Sequence, residues 1–299
     1  MSLLVPTPGM ALSHDIADYP DGIVLPVDKP YRWTSADVIR KVKYAAIKHF
    51  RKKNLKVGHA GTLDPLATGV LLVCIGAACK RAQEFQDHDK EYEALVRFGA
   101  TTPSYDLEKE VDRTFPYAQV TVDAIRTVLP SFIGTQEQVA PLFSAKSVDG
   151  VRAYEVARRM YRNAQKGLAD PDFDAAALEN LHRSTITISD LELLEFRPGE
   201  ASASGVGHIL VRGGSADAGV SGTASSRINV ADTAPLGLPE ARIRIICSKG
   251  TYIRALARDL GEALGTGAHL GSLVRTRTGD FRIGDALTLE QVLNLLLEA

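Results

Sequence analysis

Residues 58–69 read GHAGTLDPLATG, a stretch that three glycines and one proline punctuate. Such punctuation is typical of a loop and not of a helix or strand interior. Residues 70–75 follow directly and are wholly apolar (VLLVCI), as a buried strand requires. The stretch therefore predicts a loop that leads into the core of a sheet, with Asp64 in the loop.

Asp64 stands immediately before Pro65, which disfavours the helical conformation for Asp64 and holds it extended. An aspartate in such a place serves either as an Asx-turn residue or as a functional carboxylate. These residues alone leave both interpretations open.

The segments around this loop mix strands and helices without strict βαβ alternation. That mixture predicts one α+β domain over residues 1–299, with a mixed, largely antiparallel sheet flanked by helices. Capping boxes at Thr34/Asp37 and Thr288/Gln291 predict two helix starts, the first helix reaching Phe50 and the second Leu297. Further strands are predicted at residues 22–28, 91–98, 184–196 and 241–247, and further helices at 122–129, 154–165 and 252–264.

The composition, 45% apolar and 24% charged residues, is that of an ordinary globular protein. The three cysteines are odd in number and lack a C-x-x-C spacing, so neither a disulfide framework nor a zinc site is expected. No apolar stretch approaches the roughly 20 residues that span a bilayer, and no signal peptide is apparent. We expect a cytoplasmic protein without a metal.

The formal net charge of −1 argues weakly against a nucleic-acid partner, but the local distribution differs from that average. Between Asp37 and Asp64 there is no acidic residue, and the basic cluster there consists of Arg40, Lys41, Lys43, Lys48, Arg51, Lys52, Lys53 and Lys56. We place this cluster on the first predicted helix, and a cluster of this density suits a phosphate backbone. A solvated helix face remains the alternative.

Residues 198–226 are rich in Gly, Ala and Ser, and irregular sequence continues to residue 240. We interpret 198–240 as a surface excursion between two strands.

Five segments together resemble the family of tRNA pseudouridine-55 synthases, the TruB family, and span about residues 22–278. They are Asp28-Lys29-Pro30 with Trp33-Thr34-Ser35, the run at residues 58–69, Asp89-Lys90-Glu91-Tyr92, the run CSKGTYIR at residues 247–254, and Gly267-Ala268-His269-Leu270 running to Leu273-Val274-Arg275. The resemblance implies a pseudouridine-synthase fold and isomerisation of uridine 55 in the T loop of tRNA, without a cofactor.

The resemblance assigns three residues to catalysis. The reaction detaches the base at N1 and rejoins it through C5, so the sugar C1′ becomes electron-poor, and Asp64 matches the family's catalytic carboxylate. Arg254 matches an arginine whose planar fork would orient that carboxylate. Tyr92 matches a tyrosine that would stack on the base. Without the resemblance, Arg254 would be a surface salt-bridge residue on the polar side of its helix, and Tyr92 a strand residue with a solvated hydroxyl.

Other residues are assigned to substrate binding. His59 matches a histidine associated with extrusion of the base, and its spacing to Asp64 does not suit metal ligation. Lys29 would support the active-site floor, and Leu273 would form an apolar wall, with core packing as its alternative. The remaining RNA contacts are expected from Tyr252, Lys52, Lys53 and Lys56.

Two features depart from the family pattern. The family's lysine stands where this chain has Ser147, with Lys146 one position earlier, in the segment 139–166 that is expected to contact tRNA. The tail after the last helix is also too short for a PUA domain. We therefore expect a monomeric enzyme without an obligatory protein partner; a guide-RNA-dependent synthase or a non-catalytic tRNA-folding chaperone is the alternative.

Overall fold

The computed structural model describes residues 3–141, 183–200 and 230–297, together with 143, 147–148, 151–152, 159, 163 and 228. These residues group into two compact units. The first unit holds residues 3–93, 228 and 273–297, and the second holds the described residues from 94 to 200 and 230–272. The prediction of a single catalytic domain stays a prediction.

The described residues mix strands and helices in one chain order. The strands are β1 Ile23–Lys29, β2 Val57–Ala60, β3 Ala67–Ile75, β4 Lys90–Phe98, β5 Ala100–Thr101, β6 Arg113–Thr114, β7 Gly134–Val139, β8 Ser147–Val148, β9 Val151–Arg152, β10 Arg183–Arg197, β11 Glu240–Cys247, β12 Ala268–Thr278, β13 Phe281–Arg282 and β14 Leu287–Thr288. The α-helices are α1 Ser35–His49, α2 Ala82–Asp87, α3 Val122–Val128, α4 Ile253–Ala263 and α5 Leu289–Leu297. The α+β class is confirmed.

Both predicted capping boxes form. At the start of α1 the Thr34 hydroxyl accepts from the Asp37 N–H at 3.0 Å, and the Asp37 carboxylate accepts from the Thr34 N–H at 3.1 Å. At the start of α5 the Gln291 N–H donates to the Thr288 hydroxyl at 3.1 Å. These bonds satisfy N–H groups that have no partner within the helix, which explains why both helices begin where the sequence predicts.

Strand β3 is the centre of the first unit. On one side it pairs antiparallel with β1, from Ile23 opposite Ile75 to Lys29 opposite Gly69. On its other side β2 pairs with the end of β3, and β12 runs parallel to its beginning. The loop of residues 61–66 joins β2 to β3. On this side of β3, the pairing strand changes from β12 to β2 along its length.

The second unit contains antiparallel strands and the helix α4. Strand β10 pairs with β11 on one side and β7 on the other, and two register shifts interrupt the β10–β11 ladder. Helix α4 buries its apolar face, including Leu256 and Leu260, and Gly265 follows with the left-handed backbone expected beyond a helix end. Strands β4 and β12 each have residues in both units.

Two local predictions are wrong, and one strand was not predicted. Residues 57–60 form strand β2 and not a loop, because they pair with β3. Strand β12 was not predicted, since the buried polar residues His269, Arg275 and Thr278 obscure its apolar pattern. Helix α1 ends at His49, so it holds only half of the basic cluster, and the other half follows it.

Several predictions lie outside the described residues. These are nearly all of the helix at 154–165, most of the segment 139–166 with Lys146, and the greater part of the excursion 198–240.

Candidate active site

The loop of residues 61–66 presents Asp64 from a tight turn. The Ala67 N–H donates to the Asp64 carbonyl at 3.1 Å, and the Asp64 side chain is half-buried. Gly61 opens the loop with a φ of 95°, a conformation that side chains rarely adopt. The loop predicted from the sequence is thus present over residues 61–66, and Asp64 is not fully buried in it.

Groups from the start of α1 hold the middle of this loop. The Ser35 hydroxyl is hydrogen-bonded to both the N–H and the carbonyl of Leu63, at 2.9 and 3.1 Å. The Arg32 N–H donates to the Pro65 carbonyl at 3.0 Å. The residues on either side of Asp64 are therefore fixed by their backbone groups.

Lys29 is completely buried beneath the loop. Its ammonium donates to the carbonyls of Pro30 at 2.9 Å, Trp33 at 2.6 Å and Pro65 at 3.2 Å. Burial lowers the pKa of Lys29 to about 7, and the charge of Asp64 is the largest influence in the opposite direction. Three carbonyl acceptors match the three N–H groups of an ammonium, so the geometry favours the charged form beside Asp64. That Lys29 supports the floor of an active site stays a prediction.

Arg275 is a second buried cation at the loop, and the sequence did not single it out. Its side chain is 1% exposed, and Nε donates to the Val70 carbonyl at 2.7 Å. Nη2 and Nη1 donate to the carbonyls of Gly61 and Thr62 at 3.2 and 3.4 Å. The only signal in the sequence was its place in the fifth motif, two residues after Leu273.

His59 lies on β2, two residues before the loop. Its ring is half-buried, and Nδ1 is buried without a hydrogen-bond partner among the described residues. Burial, assisted by the positive charge of Arg275, lowers the pKa of His59. The ring is therefore neutral at pH 7, in a state suited to packing against a nucleobase.

Tyr92 and Leu273 are both buried, each with 8% of its surface exposed. Tyr92 lies on β4, which confirms the strand assignment, but its burial does not agree with a solvated residue. Leu273 lies on β12 opposite Ala67, three residues beyond Asp64. The register thus brings Leu273 next to the end of the Asp64 loop, and its role as an apolar wall stays a prediction.

Arg254 belongs to the second unit, near the start of α4. Only 4% of its surface is exposed, so its assignment to the polar side of the helix is wrong. Its guanidinium donates to the carbonyls of Ser104 and Phe143 at 3.1 and 2.9 Å, and Nε lies 3.7 Å from an Asp106 carboxylate oxygen. The buried Asp106, which also accepts from the Ser104 hydroxyl at 2.6 Å, was missed because no helix or strand period marks its loop.

Tyr252 occupies the N-cap position of α4 and is half-buried. Its backbone N–H donates to the Gln138 side chain at 2.8 Å, and that side chain donates back to the Tyr252 carbonyl at 3.1 Å. These bonds fix the backbone from which the ring projects.

Lys52, Lys53 and Lys56 are exposed in the segment between α1 and β2. The exposed positions of α1 add Arg40, Lys41, Lys43 and Lys48, with the exposed ring of Tyr44 among them. The basic cluster is therefore exposed to solvent. It begins on α1, and Ser35, the first residue of α1, is hydrogen-bonded to the Asp64 loop.

Within the described ranges no group of His, Cys, Asp or Glu side chains could hold a metal ion. Nor does any helix there have the length and apolar character needed to cross a membrane.

Two family models match the chain. Residues 48–169 match the TruB family pseudouridylate synthase N-terminal domain, and residues 254–299 match the tRNA pseudouridylate synthase B C-terminal domain.

Curated relatives are similar over most of their length. The tRNA pseudouridine synthase B of Phocaeicola vulgatus is 43% identical over 91% of this chain and 92% of its own. That of Flavobacterium johnsoniae is 37% identical over 91% of this chain and 95% of its own.

Solved structures share the fold. A chain in the crystal structure of a Cbf5-Nop10-Gar1 complex superposes with a TM-score of 0.54 and 24% identity. The match covers 92% of this chain but only 54% of that one, so this chain spans about half the length of the solved chain.

Proposed function

The chain belongs to the TruB family of pseudouridylate synthases, and we propose that it converts uridine 55 in the T loop of tRNA to pseudouridine, with Asp64 as its catalytic carboxylate. The observation that carries this proposal is the fixed loop of residues 61–66, because it holds one reachable carboxylate in place. Relatives of 37–43% identity that are named tRNA pseudouridine synthase B support the choice of substrate.

The chemistry requires a carboxylate beside the sugar. Breaking the N1 glycosidic bond leaves C1′ electron-poor, and an aspartate there serves either direct attack at C1′ or removal of a ribose proton. Preorganisation by Ser35, Lys29 and the Arg32 N–H means that little reorganisation of Asp64 is needed during the reaction.

Other residues are proposed to receive the extruded base. Tyr92 offers a ring for stacking, Leu273 an apolar wall, and the neutral His59 a ring that fills the gap left in the RNA. Arg254 and Tyr252 keep the roles that their motif predicts, in catalysis and in RNA contact.

The basic cluster is proposed to bind the tRNA backbone away from the target nucleotide. Helix α1 has 15 residues and starts at the Asp64 loop, so its far end lies about 22 Å from that loop. Lys52 and Lys53 follow that end and would contact phosphates several nucleotides from uridine 55. We propose that the enzyme does this as a monomer in the cytoplasm, without a protein partner.

Site-resolved pseudouridine mapping tests the proposal. An unmodified tRNA transcript is incubated with the purified protein and no added cofactor. We expect one new pseudouridine at position 55, absent with Asp64→Asn. Tight binding of the transcript without any product would instead support a tRNA-folding chaperone.

A further inference from the structure

The guanidinium of Arg275 ties the beginning of the Asp64 loop to the strand that follows it. Nη2 and Nη1 hold the carbonyls of Gly61 and Thr62, and Nε holds that of Val70. We propose that Arg275 is a positioning residue for the reaction, which keeps the Asp64 carboxylate in place by fixing this loop. The inference rests on the proposed function.

The geometry of these contacts requires an arginine. The donors of a guanidinium lie in one rigid plane and point in different directions, so a single side chain can hold the beginning of the loop against strand β3. A lysine ammonium can hold three carbonyls only where they converge on one nitrogen, as they do around Lys29, whereas three different nitrogens of Arg275 contact Val70, Thr62 and Gly61. Substitution by lysine therefore keeps the positive charge but removes the bridge.

The backbone of Arg275 is itself held in place. It lies opposite Gly69 in the parallel pairing of β12 with β3. The two backbones are so close that a Cβ on Gly69 would lie 2.2 Å from the Arg275 carbonyl oxygen. The guanidinium is thus anchored from a rigid strand, as a positioning group must be.

The burial of this charge does not favour a role in stability alone. In the described part of the chain, the hydrogen bonds of the Arg275 guanidinium go to three carbonyls and not to a carboxylate. A buried charge carries a desolvation cost that an apolar side chain of similar size would avoid. What the arginine contributes is a fixed position of the Asp64 loop. This position matters because a shift of about 1 Å at a reacting group can lower a rate by about 100-fold.

The decisive variants are Arg275→Lys and Arg275→Ala. We expect Arg275→Lys to lower kcat about 10- to 100-fold, with KM for tRNA and the circular dichroism spectrum unchanged. Millimolar guanidinium should restore part of the kcat of Arg275→Ala by occupying the vacated site. If Arg275 had a purely structural role, Arg275→Lys would not lower kcat selectively, and guanidinium would not restore the kcat of Arg275→Ala.

Arg277→Lys is the matched control, because Arg277 lies two residues further along β12 and donates to the Gly279 carbonyl, outside the loop. It should keep kcat within about twofold, and guanidinium should not stimulate it. Asp64→Asn should likewise show no rescue.

Three results would overturn the inference: a wild-type kcat in Arg275→Lys, a defect confined to KM, or global unfolding of Arg275→Lys. The failure of the proposed function looks different, since the wild-type protein itself would then form no pseudouridine.

Discussion

The Ser35 hydroxyl accepts a hydrogen bond from the Leu63 N–H at 2.9 Å and donates one to the carbonyl of the same residue at 3.1 Å. A serine hydroxyl can do both because it has one donor and two acceptor positions. Ser35 is the first residue of α1, and Leu63 precedes Asp64. The start of the helix and the Asp64 loop are therefore fixed to each other.

Ser35→Ala should destabilise the protein and impair catalysis. The change leaves a buried N–H and a buried carbonyl unpaired, which costs about 1–3 kcal/mol of unfolding free energy. Urea denaturation and kcat measurements check this. Ser131→Ala is the control, since that exposed hydroxyl donates to the Val128 carbonyl in a surface turn. Equal stability of the two variants would contradict the prediction.

Asp64→Asn should abolish pseudouridine formation and leave the dissociation constant for tRNA within about twofold. Asparagine keeps the shape of the side chain but removes its charge, and the proposed chemistry needs the charge. Product mapping and filter binding measure the two effects. Asp15→Asn, at an exposed aspartate, should behave as wild type. Turnover in Asp64→Asn would remove Asp64 from catalysis.

Replacing both Lys52 and Lys53 by alanine should weaken tRNA binding. The slope of log K against log salt should also become shallower by about 1.5, because each lost phosphate contact removes about 0.7–0.9. The kcat at saturating tRNA should be unchanged, since these side chains lie far from Asp64. The control removes two exposed cations elsewhere, Lys80 and Arg282. An identical slope in both double variants would show that the cluster does not contact RNA.

Gly69→Ala should unfold the protein or destabilise it by more than about 3 kcal/mol. Gly69 has a φ of 97°, and a Cβ there would meet the Arg275 carbonyl oxygen at 2.2 Å. Gly58→Ala is the matched control, because a Cβ at that glycine would meet nothing within 4 Å. Thermal unfolding compares the two, and similar midpoints would contradict the register of β3 with β12.

Acid should destabilise the protein through His269. Its Nδ1 lies 2.9 Å from the Ala100 carbonyl, and burial lowers the pKa of this histidine to about 4. The folded pKa lies below the ordinary value of about 6.5, so the unfolded state binds more protons between pH 6.5 and 4. Stability is therefore lost as the pH falls through that window, by up to about 3 kcal/mol.

Denaturation at several pH values checks this contribution. His269→Gln should have a shallower dependence of unfolding free energy on pH between 6.5 and 4 than the wild type. Parallel curves for the two proteins would show that the buried histidine does not titrate in this window.

Local signals in the sequence predicted much of the fold and of the site. The hydroxyls of Thr34 and Thr288 accept hydrogen bonds from N–H groups only three positions away. Such local contacts are visible in the sequence, so both helix starts could be predicted. The extended conformation of Asp64 was predicted from its place before Pro65, and its catalytic role was proposed from the family motif at residues 58–69. Lys29 and His59 came from the same family motifs, and their roles stay predictions.

Contacts between distant parts of the chain could not be predicted in this way. Arg275 holds the carbonyl of Gly61, 214 positions earlier, and no local pattern encodes that approach. The ion pair of Asp106 with Arg254 could not be predicted either, because Asp106 lies in a loop 148 positions before Arg254. Buried polar side chains on β12 also break the apolar period on which strand prediction depends.

The order of synthesis gives the contacts of Arg275 a further consequence. Lys29 and Ser35 leave the ribosome before Asp64, whereas Arg275 follows it by more than 200 residues. For most of its synthesis a nascent chain thus contains the whole Asp64 loop together with Lys29 and Ser35. It still lacks the hydrogen bonds that Arg275 donates to Gly61 and Thr62. Chains released before residue 275 should lack part of the support of the Asp64 loop, so incomplete products would carry the proposed catalytic aspartate without modifying RNA.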